Sequence, residues 1–100
     1  VGWKIVRDKQ DFWSQAHGVS GQWRSSDDPI GGLAKKLFEE AAEFIEEFDP
    51  GELYDLRDVV DELISRLDAA GEHAADHEVK TARLGTFTRC IEWSPVPRSQ

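Results

Sequence analysis

Methionine is absent from these 100 residues, cysteine occurs once, and proline only four times. The lone Cys90 has no internal partner, which excludes a disulfide staple and every multi-cysteine zinc or iron–sulfur framework. No apolar run approaches the roughly 18 to 20 residues that a spanning helix needs. No basic-then-apolar leader precedes a small-residue cleavage site, so the expected setting is the cytoplasm, with no membrane partner. Bases are scarce as well: twelve Lys and Arg stand against twenty Asp and Glu, a net charge of −8. Proteins that grip phosphate backbones depend on clustered Lys and Arg, so no nucleic-acid polymer is expected as a partner.

What remains is the composition of one folded domain, 39% apolar and 32% charged, spanning residues 1–100. Its charge is uneven. Twelve of the twenty acids lie between Glu39 and Asp68, where only Arg57 and Arg66 oppose them. An acidic centre of this kind suits a solvated helix surface, a polyanion mimic or a site for hard cations, and composition does not choose among them.

Periodicity predicts an all-α chain with short extended terminal segments. Trp3 to Val6 reads as an extended opening, and Asp11 to Gln15 as a helical turn or two anchored by Phe12 and Trp13. His17 to Pro29, broken by Gly, Ser and Asp, reads as a loop. After Gly31 and Gly32, the residues Leu33, Leu37, Ala41, Phe44, Ile45 and Phe48 recur at helical spacing, and Asp49-Pro50-Gly51 stops that helix. A second helix carries Leu53, Leu56, Val60, Leu63, Ile64 and Leu67 as its stripe. A weaker third one runs from Glu72 to about Arg83, and Gly85 ends it. Phe87 to Trp93 alternates as a short strand, and the tail with Pro95 and Pro97 is expected to fray.

The short connection makes the two strong helices antiparallel neighbours. Each is roughly 25 Å long, with an apolar stripe wider than one partner helix covers. A homo-oligomer with a four-helix-bundle core, a homodimer or homotetramer, is the expected remedy.

On a helical wheel Lys36, Glu40, Glu43 and Glu47 share one sector beside the apolar stripe, while Glu39 and Glu46 point further out. On the second helix Asp58 and Asp61 stand one turn apart, with Asp68 further along the same edge. Antiparallel packing brings such acids face to face, and converging carboxylates repel one another unless cations neutralise them. Oxygen-only ligands select Mg²⁺ or Mn²⁺ over Zn²⁺.

The run Lys36-Leu37-Phe38-Glu39-Glu40-Ala41-Ala42-Glu43, followed by Asp58-Val59-Val60-Asp61, resembles the E-E-x-x-E and E-x-x-D signature of the MazG-like all-α nucleotide pyrophosphohydrolases. The related phosphoribosyl-ATP pyrophosphohydrolases share that signature. Lys4-Ile5-Val6-Arg7-Asp8-Lys9 is similar to the K-L-V-R-D-K opening of a MazG-like subgroup, and Lys80 with Gly85-Thr86-Phe87 to its closing K and G-G-F. Asp58 stands where the family has Glu, Arg57 replaces a neighbouring acid, and the closing Arg83 lies one position early.

The resemblance implies a Mg²⁺-dependent nucleoside triphosphate pyrophosphohydrolase, with Mn²⁺ as a substitute, that cuts between the α and β phosphates to give a monophosphate and pyrophosphate. It implies Glu40, Glu43, Asp58 and Asp61 as metal ligands, with Glu39 and Glu40 as the catalytic pair. Lys36, Arg7, Lys9, Lys80, Arg83 and Arg89 are the cations expected on the phosphates. Phosphoribosyl-ATP is the alternative substrate.

Plainer readings stand beside these. Lys36 with Glu40 makes an i,i+4 pair worth about 0.3 kcal/mol, and Arg7 with Asp8 suits a salt-bridged turn. His73 and His77 share a helix face but lack a third His or Cys ligand, and Cys90 has no recognisable base motif beside it. Trp13 and Trp23 are core or interface residues as readily as base platforms. The rival from another class is a non-enzymatic acidic helical module that docks on a basic partner. It would turn its acids outward, as Glu39, Glu46 and Glu62 do, rather than towards the apolar stripe.

Overall fold

The computed structural model describes residues 2–96. Those residues form four helices and no strand: α1 (Gln10–Ala16), α2 (Pro29–Glu47), α3 (Pro50–Leu67) and α4 (Glu72–Leu84). The chain divides into two compact units, Val1–Ala69 and Ala70–Gln100. No helix among the described residues is long and apolar enough to cross a membrane.

In the first unit, α2 begins at Pro29, four residues ahead of the expected Leu33. Asp28 caps it by accepting the Gly31 N–H at 3.0 Å, and Pro29 supplies a first-turn φ with no N–H to satisfy. Gly31 and Gly32 therefore lie inside the helix, although each costs about 1 kcal/mol in helix propensity. Gly32 has a packing reason: a Cβ there would stand 2.7 Å from Cγ1 of Ile5. The opening segment lies against the first turn of α2, and only glycine admits that approach.

Phe48 and Asp49 alone connect α2 to α3. Phe48 adopts a left-handed conformation at φ 53° and packs edge-on against Phe44 at 5.3 Å. Asp49 then caps α3 by accepting from the Gly51 N–H at 3.0 Å, with Pro50 at the first helical position. Helices α2 and α3 pack on one another. Leu33 is buried, and Leu37, Ala41 and Phe44 on α2, with Leu56, Val59, Val60 and Leu63 on α3, are half-buried. The rest of each stripe, including Ile45, Phe48, Ile64 and Leu67, is exposed. The anticipated helical turn near Asp11 is α1, whose Ser14 is buried and receives Gln10 Nε2 on its hydroxyl at 3.4 Å.

In the second unit, Gly71 and Gly85 bracket α4 with positive φ values of 74° and 81°. The strand expected at Phe87 to Trp93 is absent. Cys90 turns left-handed at φ 48° and donates its N–H back to the Phe87 carbonyl at 3.0 Å, which breaks the extended run. Alternation of side chains cannot make a strand where no neighbouring strand satisfies its backbone groups. Pro97, placed in the expected fraying tail, lies outside the described residues.

Gly32→Ala should lower the melting temperature despite its better helix propensity, because the new methyl displaces Ile5; a higher melting temperature would contradict the close approach.

Candidate metal centre

The acids of α2 and α3 meet through a different set of α3 residues from the expected one. Carboxylate oxygens of Glu40, Glu52 and Asp55 lie within 4.8 Å of one another. Glu40 keeps only 7% of its surface exposed. Its Oε1 receives Lys36 Nζ at 3.3 Å, the i,i+4 pair anticipated from spacing. Its Oε2, like the Oε2 of Glu52, is buried and meets no N–H or hydroxyl donor. Burying a carboxylate oxygen without a donor is costly, so each points to a proton or a cation as its partner.

Glu52 takes up the strain as a proton. Its carboxyl is pushed up to about 7, chiefly by a hydrogen bond shared with Glu40, then by desolvation, then by the bond to and charge of Glu43. Two carboxylates this close do not both ionise at neutral pH unless a cation lies between them. A second grouping, Glu47, Asp49 and Glu52, adjoins the first at the α2–α3 connection and shares Glu52 with it.

Arg7 reaches the other side of the centre. Its Nη2 contacts Asp55 Oδ1 at 2.7 Å and its Nη1 contacts Asp58 Oδ2 at 3.0 Å, a fork across one turn of α3. Hydrogen bonds to Asp58 and Asp55 raise the guanidinium pKa further. Arg7 therefore pairs with α3 rather than forming a turn with Asp8.

Of the residues expected from sequence, Glu40 lies at the centre and Glu43 acts on Glu52 from beside it. Asp58 is tied to Arg7, and Asp61 is exposed and outside both acidic groupings. Glu39 is exposed, and Lys36 is engaged with Glu40. Lys9 is the exposed N-cap residue of α1 and makes no side-chain capping bond there. Lys80, Arg83 and Arg89 are exposed residues of the second unit. Trp13 stacks on His17 with ring centroids 4.0 Å apart. His73 and His77 are exposed, and neither acidic grouping contains a His or Cys.

Glu52 and Asp55 are the members that sequence reading missed. A signal was present: Glu52-Leu53-Tyr54-Asp55 repeats the acid-x-x-acid spacing of Asp58-x-x-Asp61 nearly two turns earlier, close behind the α3 cap. The ligand set is all oxygen, partly dehydrated and short of hydrogen-bond donors, which fits a hard divalent cation. Known protein families, characterised proteins and solved structures show no match to the chain.

The raised Glu52 carboxyl fixes a sign. Folded Glu52 binds its proton more tightly than the unfolded chain, whose value is near 4.5, so stability is greatest below that value and falls as pH rises to about 7. Without divalent cations, the melting temperature should drop between pH 5 and pH 8, and Glu52→Gln should flatten that decline; an unchanged slope in the variant would contradict the coupling.

Proposed function

We propose that the chain is a divalent-cation-dependent nucleoside triphosphate pyrophosphohydrolase, using Mg²⁺ or Mn²⁺ and releasing a nucleoside monophosphate and pyrophosphate. The observation that carries this reading is the meeting of Glu40, Glu52 and Asp55 with two buried, unpartnered carboxylate oxygens. The MazG-like motif resemblance supports the same choice. Phosphoribosyl-ATP is the alternative substrate within the class.

A hard cation bound there would neutralise charge on the triphosphate and make an attacking water more acidic. Glu40, Glu52 and Asp55 would hold the ion, and Glu43 would add negative charge beside them. Asp58 and Asp61 extend the acidic edge of α3. Glu39, next to Glu40 and free to reach solvent, accepts the proton of the attacking water. The water oxygen bonds to the α-phosphorus, and the bridging oxygen departs with pyrophosphate. Lys36, one turn before Glu40, and Arg7, beside Asp55, orient phosphate oxygens. Lys9 is a further cation of the first unit for the anion.

The same reading includes assembly. We place α2 and α3 as an antiparallel hairpin whose outer apolar faces meet those of other copies in a four-helix core, as a homodimer or homotetramer. Phe38 on α2 is 76% exposed, and Ile45, Phe48, Ile64 and Leu67 are likewise uncovered. Burial in a partner is the ordinary fate of such a set of uncovered apolar side chains.

Glu40→Gln should abolish Mg²⁺-dependent pyrophosphate release from nucleoside triphosphates, a loss of at least about a hundredfold, while leaving helicity intact. Undiminished turnover would overturn the assignment. Absence of turnover in the native protein, with no rise in melting temperature on adding Mg²⁺ or Mn²⁺, would favour an acidic module docking on a basic partner through Asp61 and Glu62.

Ile45→Lys should shift the protein to smaller species in analytical ultracentrifugation; an unchanged sedimentation profile would remove that face from the interface.

A further inference from the structure

Beside the carboxylate centre, a cleft of about 380 Å³ opens between the opening segment, residues 24–28 and the first turns of α2. Trp3, Lys4, Arg24, Lys35 and Lys36 line it, with Gly32 at its wall. Asp27, Asp28 and Glu39 also reach it, with Asp28 accepting from the Gly31 N–H. Four cations stand here against three acids, with Lys36 paired to Glu40, whereas the chain as a whole carries a net charge of −8. Among the described residues Lys4, Arg24 and Lys35 make no ion pair. Arg24 lies over the Trp3 ring at 4.0 Å, which holds the guanidinium plane in place and leaves its N–H edge free. The wall itself depends on glycine, because a Cβ on Gly32 would strike Ile5.

We propose that this cleft is a phosphate-binding site, with Lys4, Arg24 and Lys35 as its charged donors. Two ammonium groups and one guanidinium fork around a few hundred Å³ suit a compact, multiply charged oxyanion better than a single carboxylate. Lys36 lines the cleft and also holds Glu40, so a phosphate seated here lies along the same stretch of α2 as the carboxylate centre. Its assignment to the nucleotide of that centre rests on the proposed function; the phosphate site itself does not.

The test is a titration of the full chain with inorganic phosphate, pyrophosphate and adenosine monophosphate, in chelator and at low ionic strength, followed by nuclear magnetic resonance. Saturable shifts are expected at the Trp3 indole and at the Gly32 and Lys35 amides. Lys35→Gln and Arg24→Gln should each weaken pyrophosphate binding about tenfold, with Lys35→Arg retaining it. Tighter binding of adenosine monophosphate than of phosphate would support a nucleotide source, and equal binding a free phosphate. Both variants alter exposed side chains, and circular dichroism checks their helicity. Shifts centred on Lys80, Arg83 and Arg89, no saturable shift, or unchanged affinity in both variants would overturn the site. Hydrolysis is read separately, as pyrophosphate release with Mg²⁺: binding in the cleft without turnover would sink the hydrolase reading alone, and turnover without binding in the cleft would sink this one alone.

Discussion

Negative charge held close and partly dry is the constraint on which the first unit turns. Glu40, Glu52 and Asp55 place oxygens within 4.8 Å of one another, and Glu40 is almost wholly withdrawn from water. Coulomb repulsion at such distances is modest in bulk water and several times larger near a protein surface of lower effective dielectric. The surroundings answer it in three ways. Lys36 neutralises one oxygen of Glu40, Arg7 spans Asp55 and Asp58, and Glu52 retains a proton to about pH 7. Apart from that proton, one oxygen of Glu40 and one of Glu52 meet no donor. A divalent cation would replace the proton and complete both, which connects the geometry to the proposed chemistry.

The helices explain how such a cluster persists. Asp28 and Asp49 cap α2 and α3 through their own side chains, each with proline at the first helical position. A connection of only two residues, with Phe48 in a left-handed conformation, sets Glu47 at the end of α2 close to Glu52 at the start of α3. Half-buried Leu, Val and Phe side chains hold the pair together. Apolar packing thus supplies the stabilisation against which the acidic grouping works, and the uncovered half of each stripe leaves room for the proposed assembly to add more.

Much of this architecture was legible from spacing. The apolar stripes, the Asp49-Pro50-Gly51 stop and the acidic sector of α2 all carry strong local signals, and Glu40 stands where the wheel put it. Less legible was the start of α2, because Gly31 and Gly32 read as a breaker until the cap at Asp28 and the approach of Ile5 are seen. Glu52 and Asp55 were overlooked because a wheel does not say which turn of α3 faces Glu40. The pairing of Arg7 with α3 spans about fifty residues of chain and has no local signature. The strand reading at Phe87 to Trp93 failed for the complementary reason: alternation is local, whereas a strand needs a neighbour.

The central claim is that the carboxylates of α2 and α3 form one cation site. Mn²⁺ titrated into isotopically labelled protein tests it most directly, since paramagnetic broadening falls off steeply with distance. Saturable loss of signal confined at first to Glu40, Glu43, Glu52 and Asp55, and reversed by excess Mg²⁺, is the predicted result. Broadening spread evenly over exposed acids such as Glu46, Asp61 and Glu62, without saturation, would contradict it.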